Sequence, residues 1–253
     1  LEEKWDNLKL FIEYGMLSEP KFYEKAGSFV LYPTTDDKFY TLEELKEALK
    51  DKQTDKDGKL VVLYTSNKEA QHSYIEQAKA KGYEVVLLDS PIVSHLIQKL
   101  EMDNENLTFA RVDADFIDNL IKKDDNTISK LSEEEQTKLK ETLENIVPKQ
   151  TYTIQTEALD SNAAPFMITQ PEFMRRMKEM QAAGGGNMFG NFPEMYNLVV
   201  NTNSELATSI LQTEGEKQTA LINQALDLAK LSQGLLKGEA LTAFIKRNFE
   251  NIK

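Results

Sequence analysis

The chain has 253 residues, of which 40% are hydrophobic and 28% are charged. It is therefore long enough for two ordinary domains with a core in each. Its net charge of -12 repels a phosphate backbone and argues against nucleic-acid binding. No run of about 18 apolar residues could span a membrane. The chain has no cysteine, which excludes disulfides, thiolate catalysis and thiolate metal sites and makes the cytoplasm the expected location.

The chain begins with a predicted helix and without a secretory signal peptide. The apolar residues of this helix recur at helical spacing, and they are Leu1, Trp5, Leu8, Phe11 and Ile12. Because the pattern starts at residue 1 without a capping residue, we expect the chain to be a piece of a longer protein. A second helix is predicted over residues 38–50, where Thr41 and Glu44 have the spacing of a capping box.

Three short apolar runs predict buried strands over residues 59–65, 83–89 and 107–113. Helical patterns over residues 66–82 and 91–101 separate these strands. Strands that alternate with helices at this spacing are typical of a parallel sheet with right-handed crossovers. The first part of the chain is therefore predicted to be a small α/β domain whose parallel sheet is flanked by helices.

Residues 114–130 are rich in charge and mark the predicted domain boundary. After them, Ser132 and Glu135 predict a capped helix, and residues 151–159 and 197–201 predict two strands. Three further helices are predicted over residues 204–212, 216–233 and 239–252. We therefore predict an α/β domain followed by an α+β domain that is rich in helices and contains a small sheet.

The last two predicted helices carry apolar stripes, and the stripe of the terminal helix is wide. One stripe contains Leu221, Ala225 and Leu228, and the other contains Leu241, Phe244, Ile245, Phe249 and Ile252. Such faces need cover, either from their own domain or from a second copy of the chain.

Alternating strands and helices also occur in nucleotide-binding domains, so we searched the sequence for phosphate-binding motifs. The loop after the first strand has no glycine, so it lacks the fingerprint that brings backbone close to a pyrophosphate. The sequence contains no GxxxxGK[ST] motif either. Glycines 184–186 follow a helix, so carbonyl ends of the helix lie beside them and a phosphate cradle is not expected.

No catalytic residue and no metal ligand is predicted. His72 and His95 lie in predicted helices without a GxSxG motif, and we interpret them as surface or structural residues. Asp113, Asp115 and Asp118 are clustered carboxylates of the kind that bind divalent metal ions. We prefer the interpretation that they belong to a solvated turn. One alternative function is a small α/β enzyme or ligand-binding domain that uses the strand ends near Thr65, Asp89 and Asp113.

A helix over residues 171–183 holds much of the methionine of the chain. Thr169 and Glu172 have capping-box spacing, and charged residues are expected to form the i, i+4 pairs Glu172–Arg176 and Arg175–Glu179. The apolar residues of the helix and of the loop after it are Phe173, Met174, Met177, Met180, Met188 and Phe189. Methionine suits a surface that adapts to varied partners. A stripe at helical spacing also fits a core, so the residues leave open whether this side of the helix is a binding surface or part of the core.

Four stretches carry a resemblance to a known family. They are "KLFIEYGMLSEPKFYEKA", "YTLEEL", "VVLYTSNKEAQHSYIEQAKAKGYEVVLLDSPIVSHLIQKLE" and "QALDLAKLSQGLLKGEALTAFIKR". In this order they resemble the ninety-kilodalton heat-shock chaperone family in its bacterial form, HtpG. The resemblance covers nearly the whole chain and is least distinctive over residues 51–59 and 122–150.

The resemblance implies that residues 1–115 are the end of the middle domain and residues 116–253 the carboxy-terminal dimerisation domain. The ATP and magnesium site would then lie before Leu1, so this chain would need no cofactor and would not be an enzyme. A stress-response role in protein folding in the cytoplasm would follow.

The resemblance also assigns two surfaces. The terminal helices would form a homodimer through Leu221, Leu228, Leu235, Leu241, Phe244, Ile245 and Phe249. The methionine helix and the loop after it would contact unfolded client proteins through Phe173, Met174, Met177, Met180, Met188 and Phe189.

Overall fold

The computed structural model describes residues 1–124, 126–184 and 193–252. The chain divides into two units. The first unit consists of Leu1–Asp124 with Pro171–Phe192, and the second consists of Asp125–Gln170 with Pro193–Lys253. These units differ from the predicted domains mainly in residues 171–192, which the structure groups with the first part of the chain. As an assignment of chaperone domains, the division at residues 115 and 116 stays a prediction.

Helices and strands alternate in the first unit up to residue 124. In chain order they are α1 (Trp5–Ser18), α2 (Pro20–Ala26), β1 (Tyr32–Pro33), β2 (Phe39–Tyr40), α3 (Leu42–Gln53), β3 (Leu60–Thr65), α4 (His72–Ala80), β4 (Val85–Leu87), α5 (Val93–Asp103), β5 (Leu107–Arg111) and α6 (Ile117–Leu120).

The rest of the chain begins with a helix and ends with three. In chain order its elements are α7 (Glu133–Ile146), β6 (Tyr152–Glu157), β7 (Phe166–Thr169), α8 (Glu172–Ala183), β8 (Tyr196–Asn201), α9 (Glu205–Gln212), α10 (Gly215–Ser232) and α11 (Gly238–Glu250). Helix α8 lies between β7 and β8 in the sequence, yet it is part of the first unit.

The sheet at the centre of the first unit has the order β4-β3-β5, and both of its pairings are parallel. Val62 pairs with Phe109, and Leu63 pairs with Val85. The side chains of β3 from Val61 to Thr65 are buried, which agrees with its uninterrupted apolar run, because a central parallel strand is covered on both faces. The predicted parallel sheet flanked by helices is confirmed.

The start of the chain differs from the prediction. Residues 2–4 form a 3-10 helix, and α1 begins at Trp5. Trp5 and Met16 face the core, whereas Leu8 and Phe11 are exposed. The predicted stripe is therefore wrong at Leu1, Leu8 and Phe11, which are exposed. The buried side of α1 is defined instead by Trp5 and Met16, which are 11 residues or three turns apart.

Two predicted capping boxes are confirmed. The Thr41 hydroxyl accepts from the Glu44 backbone N–H, and the Glu44 carboxylate accepts from the Thr41 backbone N–H at 2.8 Å. Ser132 and Glu135 make the same reciprocal pair at the start of α7. Each box satisfies two backbone donors that a helix start leaves free.

The second unit contains a mixed sheet with the order β6-β8-β7. Strand β6 runs parallel to β8, and β7 runs antiparallel to β8. The prediction included β6 and β8 but missed β7, because this strand has only four residues and its three apolar residues show no alternation that distinguishes a strand. Leu139 and Leu143 of α7 pack against this sheet in one core with Ile168 and Leu198.

Candidate functional site

Helix α8 begins at Glu172, directly after Pro171, and ends at Ala183. The predicted capping box of Thr169 and Glu172 is wrong. Thr169 is the last residue of β7, where it pairs with Asn197, and no side chain caps the helix. The Glu172 carboxylate is unavailable for capping because it binds groups of the first unit.

The Glu172 carboxylate accepts hydrogen bonds from two strands of the parallel sheet. The Tyr64 hydroxyl donates to it at 2.9 Å, and the backbone N–H of Arg111 donates at 3.1 Å. Arg175 and Arg176 of the same helix lie 2.7 and 2.8 Å from this carboxylate. Burial alone would raise the pKa of Glu172, but Arg175 and Arg176 outweigh burial and hold that pKa below its usual value. Glu172 is therefore an ionised acceptor with several donors.

The Arg175 side chain is 4% exposed. Its guanidinium donates to the Tyr64 hydroxyl and to Oε1 of Glu179, the second at 2.7 Å. Burial alone would lower the pKa of Arg175, but Glu172, Tyr64 and Glu179 raise it above its usual value. Burial raises the pKa of Tyr64, so its hydroxyl keeps its proton, accepts from Arg175 and donates to Glu172.

Arg176 makes a two-pronged contact with Glu101 of α5. Its Nη1 lies 2.7 Å from Oε2 of Glu101, and its Nη2 lies 3.1 Å from Oε1. Nη2 also donates to the carbonyl of Phe109 at 2.6 Å, and the Phe109 backbone N–H donates to Glu101 at 2.7 Å. Bidentate contacts of this kind fix the plane of the guanidinium as well as its distance. Arg176 is therefore held against both α5 and β5.

Four charged residues of α8, which we call the charged stripe, follow the spacing i, i+3, i+4, i+7. They are Glu172, Arg175, Arg176 and Glu179. This spacing places them on one side of the helix, and that side contacts β3, β5 and α5. The predicted pairs Glu172–Arg176 and Arg175–Glu179 are confirmed, at 2.8 and 2.7 Å. A surface helix normally directs its apolar side toward the core and its charged side toward solvent. In α8 the charged stripe faces the other elements of the first unit instead.

The outward side of α8 carries Phe173, Met174 and Met177, which we call the apolar face. Their exposed fractions are 70%, 42% and 40%. Met180 is half-buried. The other two predicted client-binding residues, Met188 and Phe189, lie outside the described residues.

The residues predicted for a dimer interface divide by exposure. Leu228, Ile245 and Phe249 are exposed, at 52%, 45% and 67%. Phe244 is buried, at 8% exposed. The remaining three, Leu221, Leu235 and Leu241, are half-buried. An ion pair of 2.6 Å between Arg247 and Asp227 joins α11 to α10.

The aspartates considered as metal ligands each have another partner. Asp113 pairs with Arg111, Asp115 accepts from Asn119, and Asp118 pairs with Lys81. Within residues 1–124, 126–184 and 193–252, no group of three or more acidic or histidine side chains could hold a metal ion. No helix in this same part of the chain is long and apolar enough to cross a bilayer.

The strand ends considered for a ligand crevice are also engaged. The Thr65 hydroxyl donates to Gln71 at 2.6 Å, and Asp89 pairs with Lys9 at 2.6 Å. Asp113 is bound by Arg111 through two contacts. These internal contacts favour a structural role for all three groups.

Sequence reasoning missed the partners of the charged stripe, which are Tyr64, Glu101 and Arg111. They precede α8 by 61 to 111 residues, so no local spacing links them to it. One signal was present: Tyr64 and Arg111 carry polar side chains in strands that are mostly apolar, and a buried polar group needs a partner.

Comparison with known proteins gives a consistent result. No family model matches the chain. Chaperone protein HtpG of Bacteroides thetaiotaomicron is 38% identical over 99% of this chain and 47% of its own length. The chaperone htpG of Bacteroides fragilis strain YCH46 is 36% identical with the same coverage, and that of Porphyromonas gingivalis strain ATCC 33277 is 35% identical over 98% and 46%. The chain spans about half the length of these curated relatives.

Proposed function

The chain is a relative of the HtpG chaperones, homologous to them along 99% of its own length, and we propose that it is the part of a molecular chaperone that binds unfolded clients and dimerises. The cytoplasm is its proposed location. ATP and magnesium are proposed to bind elsewhere in the longer protein, so this part has no catalytic role. The strand ends considered for an enzyme or ligand site are occupied by internal contacts, which argues against that alternative.

The observation that carries the proposal is the outward apolar face of α8. A helix whose charged side is buried and whose Phe173, Met174 and Met177 are exposed leaves an apolar surface for a partner. Methionine is unbranched and polarizable, so this surface can adapt to different sequences. Full burial of each side chain is worth about 1.5–3 kcal/mol, and association costs offset much of the sum. Weak binding of varied unfolded segments is the expected result.

Light scattering of an aggregating client tests this proposal. The parent chain is expected to slow the aggregation of a heated protein, and the variant with Phe173, Met174 and Met177 changed to serine is expected to lose most of this effect. A matched control changes Phe11, Met102 and Ile128 to serine, since these are exposed by 76%, 79% and 85% and lie outside α8. Equal protection by both variants would contradict client binding at the apolar face.

The terminal helices support the dimer part of the proposal. Ile245 and Phe249 are one turn apart on α11 and exposed, and α10 exposes Leu228 and Leu231. A second copy of the chain would cover these residues. Phe244 is 8% exposed in the single chain, so it offers less surface to a second copy than Ile245 and Phe249 do.

A further inference from the structure

The orientation of α8 depends on its charged stripe. Glu172, Arg175, Arg176 and Glu179 occupy the inward positions that apolar residues would otherwise take. An apolar inward side tolerates rotation of a helix about its axis, because apolar contacts have little directional preference. Hydrogen-bonded ion pairs are directional, so they fix one rotation.

The partners of the charged stripe come from three elements of the first unit. Strand β3 supplies the Tyr64 hydroxyl, β5 supplies backbone groups of Phe109 and Arg111, and α5 supplies Glu101. The Ser94 hydroxyl of α5 also donates to Glu179. Because these partners surround the stripe, turning the apolar face inward would separate several charged groups from their partners at once.

We propose that Tyr64 and Glu101 are positioning residues for client binding, since they anchor the charged stripe and thereby keep the apolar face of α8 directed outward. This inference rests on the proposed function. These ion pairs, which are partly buried around the buried Arg175, serve to select one arrangement. Neither Tyr64 nor Glu101 belongs to the apolar face, so their effect on clients passes through the position of α8.

Two measurements on the full 253-residue chain test whether the contacts of Tyr64 and Glu101 with the charged stripe hold α8 in place. The first is hydrogen exchange of the backbone amides of residues 172–183. The second is the Kd for reduced, carboxymethylated lactalbumin carrying a fluorescent label. The test variants are Glu101→Gln and the milder Tyr64→Phe, and the control is Glu24→Gln, which changes an exposed carboxylate of α2.

Both test variants are expected to speed exchange in α8, by about tenfold for Glu101→Gln because it removes a charge-assisted contact. Exchange in β3 is expected to stay as in the parent, and in β5 only the amide of Phe109, which donates to Glu101, is expected to change in Glu101→Gln. The Kd for the unfolded probe is expected to rise several-fold, although the apolar face is unchanged. Glu24→Gln is expected to match the parent in both measurements.

Two results would overturn the inference. Unchanged exchange in α8 of both variants would show that the contacts do not anchor the helix. Faster exchange in α8 with an unchanged Kd for the probe would show that these contacts hold the helix but do not position a binding surface. The variant with Phe173 and Met177 changed to serine separates this inference from the proposed function. If that variant binds the probe as well as the parent does, client binding at α8 fails, whatever the exchange results.

Discussion

Arg176 and Glu101 are joined by two contacts of 2.7 and 3.1 Å, although 75 residues separate them in the chain. The two side chains are 15% and 23% exposed, so removing one partner costs less than the about 3–5 kcal/mol of a fully buried ion pair. Burying one apolar side chain such as Met177 gains about 1.5–3 kcal/mol. Rotating α8 to bury its methionines would disrupt several ion pairs together, so these magnitudes favour the arrangement with charges inward and methionines outward.

The first prediction concerns the Tyr64 hydroxyl, which links Arg175 to Glu172. Tyr64→Phe removes one donor and one acceptor while keeping the ring, and we expect it to lower the free energy of unfolding by roughly 1–2 kcal/mol. Urea unfolding followed by the fluorescence of Trp5 measures this, because Trp5 is the only tryptophan and is buried in the first unit. Tyr14→Phe is the control, since Tyr14 is 65% exposed. Equal midpoints for the two variants would contradict the prediction.

Local sequence was enough to predict most elements of this fold and part of the site. The capping boxes at Thr41 and Ser132 and the pair Arg175–Glu179 depend on residues three or four positions apart, so spacing alone identifies them. The parallel sheet followed from the alternation of apolar runs with helical patterns. These features are properties of short segments.

Features that depend on distant residues could not be predicted in this way. The capping box at Thr169 failed because Glu172 is bound by Tyr64, which lies 108 residues earlier. Which side of α8 faces inward depends on Glu101 in the same manner. Phe244 shares a stripe with Ile245 in the sequence, yet only the packing of α11 reveals that Phe244 is buried and Ile245 is exposed.

The dimer prediction is tested on α11. The parent chain is expected to sediment as a dimer of 28.8 kDa chains at tens of micromolar, and Ile245→Glu with Phe249→Glu is expected to yield a monomer, because charges in an apolar interface lose their hydration. Phe11→Glu with Tyr14→Glu is the matched control, since both residues are exposed on α1. A monomeric parent, or a control that dissociates equally, would refute dimerisation through α11.

Glu13 of α1 is predicted to destabilise the folded chain at neutral pH. It is 5% exposed, and burial raises the pKa of its carboxyl. The side chain of Ser90 and the charge of Lys9 oppose this rise, and Asp89 adds to it. Since the folded pKa exceeds the unfolded one, stability from this group is present below about pH 4.3, the unfolded pKa, and is lost as the pH rises through the folded pKa.

Glu13→Gln should therefore be more stable than the parent at pH 8, by roughly 1–2 kcal/mol. The difference should disappear near pH 4, where both side chains are neutral. Urea midpoints from Trp5 fluorescence across this pH range provide the measurement, and Glu24→Gln is the exposed control. A less stable Glu13→Gln at pH 8 would show that the carboxylate is satisfied in its buried position.

The last prediction concerns Glu172, which should respond to pH in the opposite direction. Its folded pKa lies below the usual value because Arg175 and Arg176 outweigh the effect of burial. Stability from this carboxylate is thus present above about pH 4.3, the unfolded pKa, and is lost as the pH falls through the folded pKa.

Glu172→Gln should lower the free energy of unfolding at pH 7 by about 1.5–3 kcal/mol, because it removes a charged acceptor of Arg175 and Arg176 while Glu179 and Glu101 remain as their partners. The difference from the parent should narrow as the pH falls from about 4.3 through the lowered folded pKa, because the parent is neutral at this position below both values. Unfolding of both chains at several pH values, followed by Trp5 fluorescence, tests this. A constant difference at all pH values would mean that Glu172 acts through its shape and hydrogen bonds instead of its charge.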